Sequence, residues 1–553
     1  MGFVMSAQNL SPRRDRFSRR DLFRAGAAAA LASQLSDSDV LGASPAPALR
    51  LGADLYQSIG VRPLINCKGT YTIISGSLTL PEVKQAMLEA SKHFVHLDEL
   101  MEAVGRRLAE LTGAESGIVT CGCAAALTHA TAAAVAGADP EKIQRLPDLT
   151  GLKDEVIAPL YSRNVYDHAI RMLGVKIVDV ENEQELRAAI GPRTALVMVL
   201  GSPQDSGLFG LEPIAAIARA HGVPVLVDAA AEDLTIPNVH LERGADLVAY
   251  SGGKALRGPQ SAGLLLGHKL LVQAAWLHSA PHHAFGRPMK VGKEDIVGML
   301  AAVEMWVRRD HQAEWATWAS WLDQIARGVA GLPSLTSEVL QPAGLSNRSP
   351  RLVIHWDSDR LGITGEELER HLWKGDPRIA LGGSTGNRRT AGESTVTIMP
   401  WQMQPGDAEV VAGVLRHVLS EPPRFEQPQP PAGEAAKLAG QWDLHLDFVL
   451  GSAEHRLFFE QQAADLTGSH AGEMTSGDLS GWIEGRDVHF KSVHRYEGSQ
   501  FGFEFHGQVE REAGPSQTMA GEVDLGEYGG AHWSARRRRF GEPDAPVRPV
   551  KNV

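Results

Sequence analysis

Two periodicities divide this chain. From about residue 59 to 419, short apolar runs alternate with stretches of helical spacing; beyond a proline-rich break, apolar and polar residues alternate with a period of two. In the first region Gly117-Ile-Val-Thr120, Val223-Pro-Val-Leu-Val-Asp228 and Asp246-Leu-Val-Ala-Tyr250 predict buried strands of a parallel sheet, because each is a near-continuous apolar run. Residues 292–329 predict long helices, with Trp306, Trp315, Trp318 and Trp321 on a core face. From Arg351 a smaller α/β unit is expected: strand 352–356, helix 364–373, strands 378–381 and 395–399, and helix 405–419.

The run Glu421-Pro-Pro-Arg-Phe-Glu-Gln-Pro-Gln-Pro-Pro431 predicts a stiff, extended linker. After it come Gly440-Gln-Trp-Asp-Leu-His-Leu-Asp-Phe448, Arg456-Leu-Phe-Phe459, Trp482-Ile-Glu-Gly485, Asp487-Val-His-Phe-Lys491, Phe501-Gly-Phe-Glu-Phe-His506 and His532-Trp-Ser-Ala-Arg536. Their alternation, split by Gly- and Ser-containing turns, predicts a small antiparallel barrel or sandwich, lipocalin-like in pattern. Binding, covering a site, oligomer contact and plain stabilisation are all open to it. The expected organisation is therefore a leader over 1–48, a large domain over 49–310, a helical connection and small domain over 311–420, a linker over 421–435, and the β domain over 436–540.

Composition narrows the partners. At 553 residues with 43% hydrophobic content, the chain has material for more than one core. A net charge of −12 argues against nucleic-acid binding, which wants a basic face. Cys67, Cys121 and Cys123 give no disulfide framework, and Cys121-Gly-Cys123 makes a poor metal site because the spacing is short and there is no second pair. At the N-terminus, Arg19-Arg20 precedes a mild apolar run over 25–35, which predicts a twin-arginine export signal with cleavage near Ala46-Pro-Ala48. That run is too short to span a membrane, so an exported, periplasmic or extracellular protein without stable membrane insertion is expected.

The candidate chemistry lies at three strand ends. Ser251-Gly-Gly-Lys254 follows a strand, and a lysine in a loop of small residues suits a Schiff base with pyridoxal phosphate. Asp228 closes an earlier strand and would point into the crevice where α/β sheets bind ligands, placed to pair with the pyridine nitrogen. Gly117-Ile-Val-Thr-Cys121-Gly-Cys-Ala-Ala-Ala126 runs from strand to helix; Thr120, Gly122, Cys123 and Ala124 would cradle a phosphate at the helix start. Ser251 and Arg257 are further phosphate candidates. In order, these make the layout of a fold-type I pyridoxal-phosphate enzyme, an aminotransferase-like α/β fold with large and small domains.

Longer motifs carry a resemblance. They are Gly60-Val-Arg-Pro-Leu-Ile-Asn66-Cys-Lys-Gly-Thr70, His93-Phe-Val-His-Leu-Asp-Glu-Leu100, Leu111-Thr-Gly-Ala-Glu115, Arg163-Asn-Val-Tyr-Asp-His168-Ala-Ile-Arg171, Ser251-Gly-Gly-Lys-Ala-Leu-Arg-Gly-Pro-Gln260 and Gly286-Arg-Pro-Met-Lys-Val-Gly-Lys-Glu294. With them, residues 59 to about 419 resemble the selenocysteine synthase (L-seryl-tRNA selenium transferase) superfamily, on the side of its D-glucosaminate-6-phosphate ammonia-lyase branch. The resemblance implies α,β-elimination from a hydroxy-amino acid or amino-sugar acid, with Lys254 as cofactor anchor and proton shuttle and Asp228 on the pyridinium. His168 is a candidate to stack on the cofactor ring or to contact its exocyclic oxygen, and no metal is required. Arg163, Arg171, Arg287 and Lys290 stand in its motifs as candidates for a substrate carboxylate, and Arg378 opens a small-domain strand where such an arginine is often kept. It also implies a homodimer or a multiple of one. Aminotransferase, racemase, aldolase and selenium-transferase-like chemistry would use the same anchors; a non-enzymatic exported binding protein built on the barrel is the remaining alternative.

Overall fold

The computed structural model describes residues 49–388, 392–423, 425, 435–510 and 517–538. The twin-arginine segment with its cleavage site, and most of the proline-rich linker, lie outside the described residues. Residues 49–64 belong to a unit of their own. It holds one helical turn, Gln57–Ile59, closed by Gly60 at φ 78°, with the Ser58 hydroxyl donating to the Leu55 carbonyl and accepting from the Arg50 N–H.

The remainder opens with β1 (Ile65–Cys67). Seven strands then build the main sheet: β2 (Ser116–Thr120), β3 (Glu155–Pro159), β4 (Lys176–Val180), β5 (Thr194–Leu200), β6 (Val225–Asp228), β7 (Leu247–Ser251) and β8 (Gly263–Gly267). Their order is β2-β8-β7-β6-β5-β3-β4. Strands β3 to β7 pair in parallel, and β8 runs antiparallel to both neighbours. The central strands β6 and β8 are buried along their whole length, which explains their unbroken apolar character. Helix α1 (Leu97–Thr112) buries one stripe, whereas α2 (Gly122–Ala136), mostly alanine, is buried on nearly every side.

Helices α3 (Lys293–Arg308) and α4 (His311–Val329) lead to the small unit. It holds β9 (Thr336–Leu340), β10 (Arg351–Asp357), α5 (Gly365–Lys374), β11 (Ile379–Leu381), β12 (Gly383–Thr385), β13 (Glu393–Ile398) and α6 (Asp407–Ser420). Thr364 and Glu367 close a capping box that starts α5. The sheet is antiparallel in the order β12-β13-β10-β9, while β11 leaves it to pair in parallel with β1. Its core joins Leu322 and Ile325 of α4 to Leu352, Ile354, Val411 and Leu415. Of the tryptophans expected in a core face, Trp306 is in the main core and Trp321 packs on the small one. Trp315 and Trp318 instead line a cavity.

The C-terminal region is a closed eight-stranded barrel, β14 (Gly440–Asp447), β15 (Ser452–Gln462), β16 (Asp465–Ala471), β17 (Ser476–Glu484), β18 (Asp487–Tyr496), β19 (Ser499–Val509), β20 (Thr518–Asp524) and β21 (Gly530–Arg537). Every neighbouring pair is antiparallel, and β21 closes on β14, so no edge is left open. Trp442, Phe459, Phe490, Phe505 and Trp533 fill the interior. Near one end the filling turns polar. His470 is fully buried between His455 (2.9 Å) and His494 (3.1 Å), and its Nδ1 also contacts the Ser492 hydroxyl at 2.6 Å.

Burial pushes all three imidazoles down, His455 to about 4 and His470 to about 2, so they are neutral in the folded protein near neutral pH. A histidine with a lowered folded pKa binds its proton only after unfolding. Stability is therefore unaffected above pH 6.5 and lost as pH falls below it. The barrel should lose up to about 1.4 kcal/mol per pH unit through His470 alone between pH 6 and 4. Urea unfolding across that range should show the slope, and His470→Gln should flatten it.

Candidate active site

Three neighbouring strands of the main sheet end together. In register, Thr120 of β2 and Ser251 of β7 both stand opposite Gly263 of β8. A side chain at Gly263 would place its Cβ 2.4 Å from the Gly122 carbonyl carbon, so only glycine lets β8 run beneath the start of α2. Gly122 itself takes φ +79°, with open space around it. The Thr120 hydroxyl donates to the Gly122 carbonyl (2.8 Å) and fixes the turn. The N–H groups of Gly122, Cys123 and exposed Ala124 thus start a long helix beside the Ser251 side chain, an arrangement suited to a phosphate.

Asp228 ends β6, beside β7, and is 3% exposed. Its Oδ1 accepts from the Ala230 N–H (3.0 Å) and from the Cys123 thiol (3.6 Å). Burial raises its pKa, opposed by those hydrogen bonds and by the charge of Lys254. Burial, then the Asp228 charge, pushes the Cys123 thiol up as well, so it remains a protonated donor. Among the described residues no Lys, Arg or His makes an ion pair with this carboxylate. A buried carboxylate without a cation is costly, and a protonated ring nitrogen would supply the missing partner.

Lys254 follows in a loop that small residues compress. A Cβ at Gly252 would lie 2.7 Å from the Ala262 carbonyl, and the Gly253 carbonyl accepts from the Ser77 N–H (3.0 Å). The aromatic ring facing Lys254 is that of Tyr166, with Nζ 6.0 Å from its centroid. Burial, then the charges of Asp228 and Cys123, raise the Tyr166 phenol. His168, two residues on, is exposed, and its hydrogen-bond partner is Arg171 (3.4 Å). Tyr166 was not among the residues singled out from sequence, although it stands inside one of the motifs.

The other candidates divide. The Arg257 Nε donates to the Leu78 carbonyl (3.2 Å), and the side chain lines a cavity beside the lysine loop rather than the phosphate turn. Arg163 is held by Asp167, Asp179 and Glu497, so its guanidinium is a structural anchor instead of a free carboxylate binder. Arg171 lies over the Tyr496 ring and Arg378 over Trp373. Arg287 and Lys290 are exposed. The cavity next to Ala255 brings forward Arg309 and Trp401, which sequence reasoning missed. Arg309 donates to the Ala255 carbonyl (3.0 Å), while its buried Nε and Nη1, and the Trp401 Nε1, have no hydrogen-bond partner. Burial lowers the pKa of Arg257 and Arg309, opposed by the charge of Glu314 on the same cavity wall, which lies 3.7 Å from Arg309 Nε. Asp205, Glu232 and His240 form a separate buried cluster. There the imidazole bridges the carboxylates, with Nε2 2.5 Å from Glu232, and Arg243 covers Asp205 at 2.9 Å.

Fold and site together define a pyridoxal-phosphate-dependent enzyme of fold type I. The aminotransferase class-V family model matches residues 163–284. The chain is 31% identical over 338 residues to a D-glucosaminate-6-phosphate ammonia lyase of Salmonella typhimurium (strain 14028s / SGSC 2262), covering 59% of this chain and 88% of that one. It is 33% identical over 340 residues to a 5'-C-glycyluridine monooxygenase-decarboxylase of a Streptomyces species, covering 59% and 83%. It is 26% identical over 326 residues to an L-seryl-tRNA(Sec) selenium transferase of Moorella thermoacetica, covering 53% and 62%. A solved D-glucosaminate-6-phosphate ammonia-lyase structure superposes with a TM-score of 0.58 at 28% identity, over 66% of this chain and 97% of that one. The chain belongs to the pyridoxal-phosphate enzyme family of these ammonia-lyase relatives.

The residues present fit the cofactor: a helix start and Ser251 for its phosphate, Lys254 for its aldehyde, and an uncompensated Asp228 for its ring nitrogen. Replacing Asp228→Asn removes the charge and should cut turnover at least about a hundredfold while leaving the fold intact. Steady-state rates beside a circular-dichroism melt would check both halves.

Proposed function

We propose that the protein is a lyase that eliminates water from a hydroxy-amino acid or amino-sugar acid and releases a 2-oxo acid and ammonia. The observation that carries this reading is the convergence of Lys254, buried Asp228 and the α2 N-terminus at neighbouring strand ends, in a chain similar over 59% of its length to an ammonia lyase. When bound, pyridoxal phosphate supplies the electron sink for the pair left on Cα. The protein's own groups do the rest. Asp228 keeps the ring nitrogen charged. Lys254 Nζ takes the Cα proton and is placed to return a proton to the departing β-hydroxyl, which leaves as water. The enamine product then tautomerises and takes up one water, giving the 2-oxo acid and ammonia.

The cavity beside Ala255 supports a site for the substrate's acid group. Arg309 Nη1 and Trp401 Nε1 are buried donors without a hydrogen-bond acceptor, and Arg257 adds positive charge; on the same wall Glu314 lies 3.7 Å from Arg309 Nε and Asp233 3.4 Å from Arg348. Ser251, Thr120, Gly122, Cys123 and Ala124 are proposed to hold the cofactor phosphate, and His168 is proposed to lie against the cofactor ring. Export through the twin-arginine route makes an unphosphorylated substrate the better fit. A homodimer is also proposed, supported by fully exposed apolar side chains such as Ile73, Phe94 and Leu208. Selenium transfer to a seryl-tRNA fits poorly with the net charge of −12.

A panel of D- and L-serine, D- and L-threonine, D-glucosaminate and its 6-phosphate, assayed for ammonia and 2-oxo acid, tests the reading. At least one should turn over, and Lys254→Ala should abolish it. Consumption of oxygen with release of carbon dioxide, and no ammonia, would favour the chemistry named for the Streptomyces relative. With the active substrate, Arg309→Gln should raise KM about 10- to 100-fold, the scale of one or two charge-assisted hydrogen bonds, with a smaller change in kcat.

A further inference from the structure

The barrel reaches the wall of the active site. Its β18–β19 turn is Tyr496-Glu497-Gly498. Glu497 takes φ +54° and presents its carboxylate to Arg163, whose side chain is only 8% exposed. At Gly498 the turn backbone is pressed against the main domain: a Cβ there would lie 2.2 Å from the Asn164 carbonyl oxygen and 2.4 Å from Asp167 Oδ2. Tyr496 completes the contact, with the Arg171 guanidinium 5.6 Å from its ring centroid. All three barrel residues therefore grip one short segment, residues 163–171.

That segment carries Tyr166, whose ring borders Lys254. It is held from below as well. Asn164 and Asp167 form a capping box, and Arg163 binds the fully buried Asp167. A second barrel turn, Gly526–Tyr528, brings Glu527 close enough for its charge to act on the Tyr166 hydroxyl. Two charged or aromatic contacts and one close backbone approach converge on the same side of the site. A barrel serving only as a remote stabiliser would need none of them at this place.

We propose that the barrel is a working part of the active site, and that its Tyr496-Glu497-Gly498 turn acts as a positioning clamp that fixes residues 163–171 and so sets Tyr166 against Lys254. Glu497 and Gly498 are positioning residues: they act through Arg163 and the Asn164–Asp167 box, without touching substrate. The barrel thereby narrows the range of substrates, because the ring it positions stands beside the reacting amine. This rests on the cofactor-dependent reading of Lys254.

Two variants of the full-length holoenzyme test it. Gly498→Val forces the turn off residues 164 and 167, at a backbone conformation that any residue can adopt. Glu497→Gln removes one of the three carboxylates on Arg163 and leaves it paired with Asp167 and Asp179. Asp443→Asn, which breaks an exposed ion pair with Arg536 elsewhere on the barrel wall, is the control. The probe is aminooxyacetate, a small amine that reacts with lysine-bound cofactor whatever the natural substrate is. Both clamp variants should bind cofactor stoichiometrically and keep the barrel's melting transition. They should change the aminooxyacetate rate constant at least fivefold and alter the cofactor's visible circular dichroism, as Tyr166→Ala does. Glu497→Asp should recover part of the change, and Asp443→Asn should match wild type. If Tyr166→Ala alters rate and spectrum but both clamp variants match wild type, the clamp is wrong and the enzyme reading stands. If wild type takes up no cofactor, both fall.

Discussion

A buried carboxylate without a cation is the constraint around which this molecule is arranged. Asp228 is carried to the end of β6 by an apolar strand that has no other way to place a charge there. Its neighbours soften the cost without removing it: one backbone N–H, one thiol and the distant charge of Lys254. Binding a ring with a protonated nitrogen would turn that cost into affinity, and the same carboxylate would keep the ring an acceptor of electrons.

The sheet topology makes the rest follow. Antiparallel β8 separates β2 from β7, so Thr120 and Ser251 flank Gly263, and the start of α2 rests on that glycine. The turn into α2, the lysine loop and the carboxylate then meet at the strand ends, where α/β sheets usually bind ligands. The small residues of the lysine loop answer to steric limits on several sides: Gly252 to the Ala262 carbonyl and Met299, Gly253 to Gln260. The same edge is bounded by a cavity with unpaired donors on one side and by the barrel's turns on another.

The α/β order and the three anchors were legible because they depend on local signals: apolar runs, a strand-end carboxylate, and small residues at a helix start. The parts that escaped depend on tertiary placement. Tyr166 is an aromatic residue in a polar stretch, and nothing local says that it faces Lys254. Arg309 follows a helix that reads as core, and its unpaired donors are visible only once Trp401 comes in from the small unit. Arg163 looked free in sequence because its partners lie 4, 16 and 334 positions away. In the barrel, six of eight strands showed alternation. The other two, β16 and β20, hid because inward positions hold His470 and Gly521 where an apolar side chain would have marked the period.

The central claim is that Lys254 is the residue that binds pyridoxal phosphate covalently, with Asp228 behind it. The most direct measurement is borohydride reduction of the purified, cofactor-loaded protein, followed by peptide mapping of the reduced adduct. The account predicts loss of the visible absorption band and a single phosphopyridoxyl group on the peptide containing Ser251-Gly-Gly-Lys254. A protein that shows no such band after incubation with the cofactor, or an adduct spread over surface lysines and unchanged in Lys254→Ala, would contradict it.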